Sequence, residues 1–195
     1  VTGVDIILSV VTLHQVAGQV TDGATTLPVA GANVTLTLVG DTTPFDTTTT
    51  DSNGDYDIQN VPDGTYVLTV MGNPTVYAPH SEIVTVSGGN VTANVVLGAF
   101  TGATWDISGQ VTDSTTLAPI SGATVSINTS GGVVTVSADS NGDYLFAGVD
   151  EGNYVVVATA AGYEANSAST TVLGADSTGV DIALDPANYS VTGNT

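Results

Sequence analysis

The 195-residue chain contains no lysine, no arginine and no cysteine. Against 19 aspartate and glutamate residues stand only two histidines, so the formal net charge is −19. Lysine and arginine are the residues that neutralise phosphate, and a chain without them is repelled by nucleic acid and by anionic membrane surfaces. Nucleic acid is therefore excluded as a partner, and cations are the expected counterions. The same absence removes catalytic lysine, arginine clamps on anionic substrates and every trypsin cleavage site. In acid, the chain drifts towards neutrality as its carboxylates protonate, instead of gaining the positive charge that drives acid unfolding. Such a sequence suits an acidic or protease-rich exterior.

Without cysteine, a disulfide-stapled scaffold and thiol or zinc-thiolate chemistry are ruled out. Long apolar runs are lacking too. The stretch Val4 to Leu13 is interrupted by Asp5 and is too short to cross a bilayer, so no membrane insertion is expected. The first residues show no basic segment of a secretion signal and read as a processed or excised end. Apolar residues, at 42%, suffice for packed cores and argue against disorder.

What is present is a duplication. Gly18-Gln-Val-Thr-Asp22 recurs as Gly109-Gln-Val-Thr-Asp113, and Pro28-Val-Ala-Gly-Ala32 as Pro119-Ile-Ser-Gly-Ala123. Asp51-Ser-Asn-Gly-Asp-Tyr56 recurs as Asp139-Ser-Asn-Gly-Asp-Tyr144, and Asp63-Gly-Thr-Tyr66 pairs with Glu151-Gly-Asn-Tyr154. Between these motifs lie short alternating runs of Val, Thr, Ile and Tyr bounded by Gly, Asn, Asp and Pro, the pattern of half-buried strands and tight turns. No window has a useful helical period. The expected fold is all-β: two tandem seven-strand antiparallel Greek-key sandwiches with extra terminal strands. The expected division is an N-terminal strand at 1–13, sandwiches at 14–100 and 101–186, and a C-terminal strand or start of a further repeat at 187–195.

The ordered motifs Gly-x-Val-x-Asp, Pro-x-x-Gly-Ala-x-Val, Asp-x-x-Gly-x-Tyr and Gly-x-Tyr-x-Val resemble those of carboxypeptidase regulatory-like domains, which group with transthyretin-like and Cna-B-like sandwiches. The resemblance covers nearly the whole chain twice. It implies a non-catalytic use as stalk, spacer, surface-protein repeat or appendage of a larger protein. The lysine that forms isopeptide bonds in some Cna-B-like relatives is absent here.

Two features could carry chemistry. Asp51, Asn53 and Asp55, and again Asp139, Asn141 and Asp143, place oxygen donors at alternate positions, as calcium loops begin. The family pattern has no second aspartate at this turn, whereas both copies here do. The competing reading is a type I′ Asn-Gly hairpin turn capped by its first aspartate. Sequons at Asn33, Asn90, Asn128 and Asn188 are compatible with glycosylation of a secreted protein. His14 and His80 are isolated, and His14 is replaced by Trp105 in the second copy, so surface or packing roles are expected and catalysis is not. Tyr56, Tyr66, Tyr144, Tyr154 and Tyr163 recur at motif positions and read as packing residues; Trp105 reads as a stiffener of the junction.

The termini repeat motifs out of place. Thr2-Gly-Val-Asp-Ile-Ile-Leu8 nearly copies the closing strand Ser177-Thr-Gly-Val-Asp-Ile-Ala-Leu184, and Tyr189-Ser-Val-Thr-Gly193 imitates the opening strand Trp105-Asp-Ile-Ser-Gly109. Three explanations stand: excision from a longer array, an extra edge strand on the first domain, or strand donation to a neighbouring subunit. The resulting expectation is an extracellular subunit or repeat segment of a cell-surface filament, pilus-like fibre or stalk. Its partner is itself, head to tail, with Ca²⁺ as stabiliser. The alternative is an adhesin or carbohydrate-binding module of a larger secreted protein, for which glycans are the expected partner; the loop Met71–His80 is the one candidate ligand surface, and nothing in it names a ligand.

Overall fold

Residues spaced by two along an extended chain share a face, so the alternating runs bury Val, Ile, Leu and Tyr on one side and leave Thr, Asp and Asn on the other. The computed structural model describes residues 12–187. The first repeat comprises β1 (Leu13–Asp22), β2 (Asn33–Leu38), β3 (Asp46–Thr49), β4 (Asp55–Pro62), β5 (Gly64–Met71), β6 (His80–Val86), β7 (Val91–Thr92) and β8 (Val95–Leu97). The second comprises β9 (Thr104–Asp113), β10 (Thr124–Thr129), β11 (Gly132–Ser137), β12 (Asp143–Asp150), β13 (Gly152–Thr159), β14 (Asn166–Val172) and β15 (Ile182–Leu184). No helix among the described residues is long and apolar enough to cross a membrane.

Each repeat is a two-sheet sandwich of seven strands, with β7 and β8 forming one interrupted strand. In the first, β4-β1-β7/β8 faces β3-β2-β5-β6. In the second, β12-β9-β15 faces β11-β10-β13-β14. Within each sandwich the pairs are antiparallel except at one seam, where the opening strand lies parallel to the closing one: Val20 opposite Val95, and Val111 opposite Ile182. The seam follows from the strand count, since strands that alternate in direction along the chain leave the first and the seventh pointing the same way. Where the closing strand breaks, side chains replace the ladder. Asn90 and Asn94 accept the backbone N–H of Gln15 and Gln19, each at 3.0 Å; Asp176 and Asp181 do the same for Asp106 and Gln110 at 2.9 Å.

The two cores are separate. Val16, Leu36, Ile58, Leu68 and Leu97 fill the first; Ile107, Ile127, Phe146, Ile182 and Leu184 fill the second. Each such side chain contributes roughly 1.5–3 kcal/mol of burial. Val67 and Val155 belong to neither core cluster, yet are only 4% and 2% exposed. They lie on the outer faces of β5 and β13 and line, with Thr69 and Asn128, a cleft of about 380 Å³ between the repeats.

Candidate functional site

The recurring motifs occupy equivalent places in the two sandwiches. At the first Asp-Ser-Asn-Gly-Asp turn, Asp51 Oδ1 accepts the N–H of Asn53 at 2.7 Å and of Asp55 at 3.0 Å, and Asp139 repeats both bonds. The turn leads from β3 in one sheet to β4 in the other, so it is no hairpin. Nor is it type I′, which needs positive φ at both central residues. Only Gly54 and Gly142 are left-handed, at +76° and +77°, while Asn53 and Asn141 are not. The expected I′ turn is thus replaced by a turn Asp51-to-Gly54 that ends on a left-handed glycine. The carboxylates of Asp55 and Asp143 stay exposed. Among the described residues, no group of three or more His, Cys, Asp or Glu side chains is placed to hold a metal ion.

Gly18 and Gly109 lie directly beneath the carbonyls of Ala93, in the break between β7 and β8, and of Val180, just before β15, where any Cβ would collide with backbone. The same carbonyls accept the hydroxyls of Tyr56, at 2.6 Å, and of Tyr144. Burial above all, with Glu82 or Asp181 adding repulsion, holds these two phenols far above their ordinary pKa. Tyr66 and Tyr154 donate to the carbonyls four residues back, Pro62 at 3.0 Å and Asp150 at 2.8 Å. The packing role expected for these tyrosines is therefore joined to a polar one.

A pairing that sequence reading missed ties the first strand to the loop before the final strands. Asp22 Oδ1 accepts Ala24 and Thr25 N–H, each at 2.8 Å, and its Oδ2 accepts the Tyr77 hydroxyl at 3.0 Å. Asp113 takes Thr115, Thr116 and Tyr163 in the same way. The backbone bonds, Thr25 and Thr116 foremost, hold both carboxyls below their usual range, and the bonds to Asp22 and Asp113 push Tyr77 and Tyr163 up. The recurrence of Asp at the end of Gly-Gln-Val-Thr-Asp was the available signal.

Between the sandwiches, Glu151 gathers the linker. Its Oε2 accepts Thr101 Oγ1 at 2.5 Å; its Oε1 accepts Gly174 N at 2.8 Å and the Trp105 indole at 3.3 Å. The Thr101 bond, followed by Gly174, lowers its pKa. In the first repeat the corresponding pair is His14 and Asp63, 3.2 Å apart. A second set of contacts joins the domains. Asn153 N donates to Pro79 O at 3.1 Å in a parallel bridge, and its side chain meets His80 Nδ1 at 3.2 Å. His80 Nε2 lies 3.5 Å from Glu82.

This placement bears on the other sequence candidates. The loop Met71–His80 is taken up by structure, since Tyr77 bonds Asp22, Ala78 N donates to Gly98 O and Pro79 meets Asn153. Asn33 and Asn90 are exposed. Asn128 is half-buried in the joint with Nδ2 on Thr69 Oγ1 at 2.9 Å, so a glycan on that atom would compete with the contact. Asn188, the segment Thr2–Leu8 and the segment Tyr189–Gly193 lie outside the described residues.

The Gly-x-Val-x-Asp, Asp-x-x-Gly-x-Tyr and Gly-x-Tyr motifs therefore make the same structural contacts in both repeats. The sequence profile of the carboxypeptidase regulatory-like domain matches residues 15–98 and again 106–185. The chain belongs to that family. As carboxypeptidase regulatory-like domains, its repeats share a broad structural likeness with bacterial pilins at low identity. A streptococcal ancillary pilin is 17% identical with a TM-score of 0.40, over 91% of this chain and 63% of the pilin. The minor pilin GBS52 of Streptococcus agalactiae gives 15% and 0.39, over 93% of this chain and all of that one. The shaft pilin SpaA of Lactobacillus rhamnosus GG gives 16% and 0.36, over 92% and 100%. The chain thus spans less than two thirds of the ancillary pilin's length. These values assign it no role. No curated protein sequence gives a significant match.

Proposed function

We propose that the chain is an extracellular, non-enzymatic structural protein: a subunit or repeat segment of a cell-surface filament, pilus-like fibre or stalk. Copies assemble head to tail by strand donation. The parallel seam supports this reading most directly. In each domain the opening and closing strands are hydrogen-bonded neighbours running the same way, Val20 opposite Val95 and Val111 opposite Ile182. Tension applied to the two ends of such a domain loads the whole ladder in shear, so its bonds must fail together and not one by one. The linker held by Glu151 and the Pro79–Asn153 bridge extend that stiffness from one domain to the next.

Calcium at the two Asp-Ser-Asn-Gly-Asp turns is part of the proposal. It is supported by the pattern's presence in both copies and by the exposed carboxylates of Asp55 and Asp143 in a chain with no lysine or arginine. Strand donation is tested by deleting Val1–Val11. The reading expects folded monomers that no longer polymerise; fibres unchanged by the deletion would overturn it.

A further inference from the structure

Resting on the strand-donation reading, we propose that the acceptor is the open side of the second sandwich, between β11 and β12, and that its occupant is the segment Val1–Val11 of a second copy. Among the described residues, β11 pairs only with β10 and β12 only with β9, so both end their sheets on the same side of the sandwich. Between them is an opening of about 240 Å³ lined by Val134, Val136, Leu145, Phe146 and Val149 among others. Val134 is 43% and Leu145 53% exposed.

The first repeat shows that the fold does not require apolar residues there. Val134 stands opposite Ile127 where Asp46 stands opposite Leu36, and Val136 opposite Val125 where Thr48 stands opposite Val34. Leu145, opposite Ser108, corresponds to Asp57, opposite Ala17. At these positions the first repeat guards its edges with charge, the usual protection against pairing with another chain, and the second carries apolar residues instead. The loops differ in the same sense. In the first repeat the connection from β2 to β3 brings Phe45 edge-on against Tyr66, centroids 5.9 Å apart. In the second, Ser130-Gly131 alone joins β10 to β11.

Charge and pattern select the occupant. Two copies of a molecule with a net charge of −19 repel, so a contact between them favours surfaces free of carboxylate. β11 carries no acidic residue, the β12 side of the opening carries one at its end, Asp150, and the segment carries one, Asp5. Val4, Ile6, Leu8 and Val10 alternate, which gives an extended strand one apolar face to lay over Val134 and Val136. Its backbone then pairs with the free edge of β11.

The test uses the full chain and the triple variant Val134→Asp, Val136→Thr, Leu145→Asp, which gives the second repeat the edge residues of the first. Sedimentation velocity is measured for both, with and without excess synthetic peptide of residues 1–11, and amide exchange of β11 is followed. The wild-type chain is expected to polymerise, to revert to monomers with excess peptide, and to show at least tenfold slower exchange in β11 when the peptide is bound. The variant is expected to stay monomeric with an unchanged circular dichroism spectrum. If the triple variant fails to fold, Leu145→Asp alone and the exchange measurement on wild type decide. A folded variant that polymerises normally, or protection that appears on β9 in place of β11, overturns the acceptor assignment while strand donation stands. A wild-type chain that stays monomeric, or polymers that persist without Val1–Val11, overturns both.

Discussion

Trp105 donates its indole N–H to Glu151 Oε1 at 3.3 Å, and the other oxygen of that carboxylate holds Thr101 of the linker. One buried acid therefore fixes the start of the second domain against the chain leaving the first. Glu151→Ala is expected to loosen the joint and leave both cores intact. Small-angle scattering should show a broader distribution of domain separations, and the emission of the single tryptophan should shift to the red. Identical scattering and emission would show that the joint rests on the Pro79–Asn153 and Thr69–Asn128 contacts without Glu151.

The seam between opening and closing strands offers a sharper test of packing. Gly18→Ala or Gly109→Ala must push the backbone of Ala93 or Val180 away, which costs about 3 kcal/mol. The affected domain should melt about 15 °C lower. In single-molecule pulling, that domain should also yield at a markedly lower force, because its sheared ladder is the one disrupted. A variant that melts and yields as wild type would contradict the shear account.

Part of this was legible in the sequence where motif residues act locally: Gly54 marks a left-handed turn, and Tyr66 and Tyr154 bond carbonyls four residues away. Gly18 and Tyr56, which meet Ala93, and Asp22, which meets Tyr77, act on residues far along the chain, and spacing within a motif does not name such partners. The parallel seam was not legible, since alternation reports which face is buried and not which strand lies alongside. The joint was hidden for a related reason: Pro79 and Asn153 carry no periodic signal. Yet the runs Tyr66–Val70 and Tyr154–Ala158 are almost wholly apolar, which marks strands covered on both faces, and Val67 and Val155 prove to be the residues covered by the other domain. The unguarded edge of the second domain becomes visible only when register aligns Val134 with Asp46.

The pH dependence has two opposing parts. Asp22, Asp113 and Glu151 have pKa values lowered in the folded state, so the stability they contribute is present above the unfolded carboxylate range and is lost as pH falls through their folded values. Protonation of the rest of the acidic surface works the other way, by lifting self-repulsion. Far-UV circular dichroism should change little from pH 7 to about pH 4, with any loss of melting temperature confined to lower pH. Asp22→Asn together with Asp113→Asn should flatten that acidic loss. Cooperative unfolding above about pH 4 would contradict this balance.

Calcium bound only by the folded state stabilises it by mass action, about 2.7 kcal/mol at a hundredfold excess over Kd. Chelation should lower the melting temperature of the wild-type chain, and Asp55→Ala with Asp143→Ala should abolish the difference. Coincident melting curves in EDTA and in millimolar calcium would leave Asp51 and Asp139 as caps of their turns and nothing more.

The claim that the chain serves as a structural unit of a fibre is tested most directly by negative-stain electron microscopy of the native material. The account predicts unbranched filaments or stalks in which paired sandwich domains recur along the axis, labelled along their length by an antibody to this chain. Isolated particles, or label confined to a different structure, would contradict it.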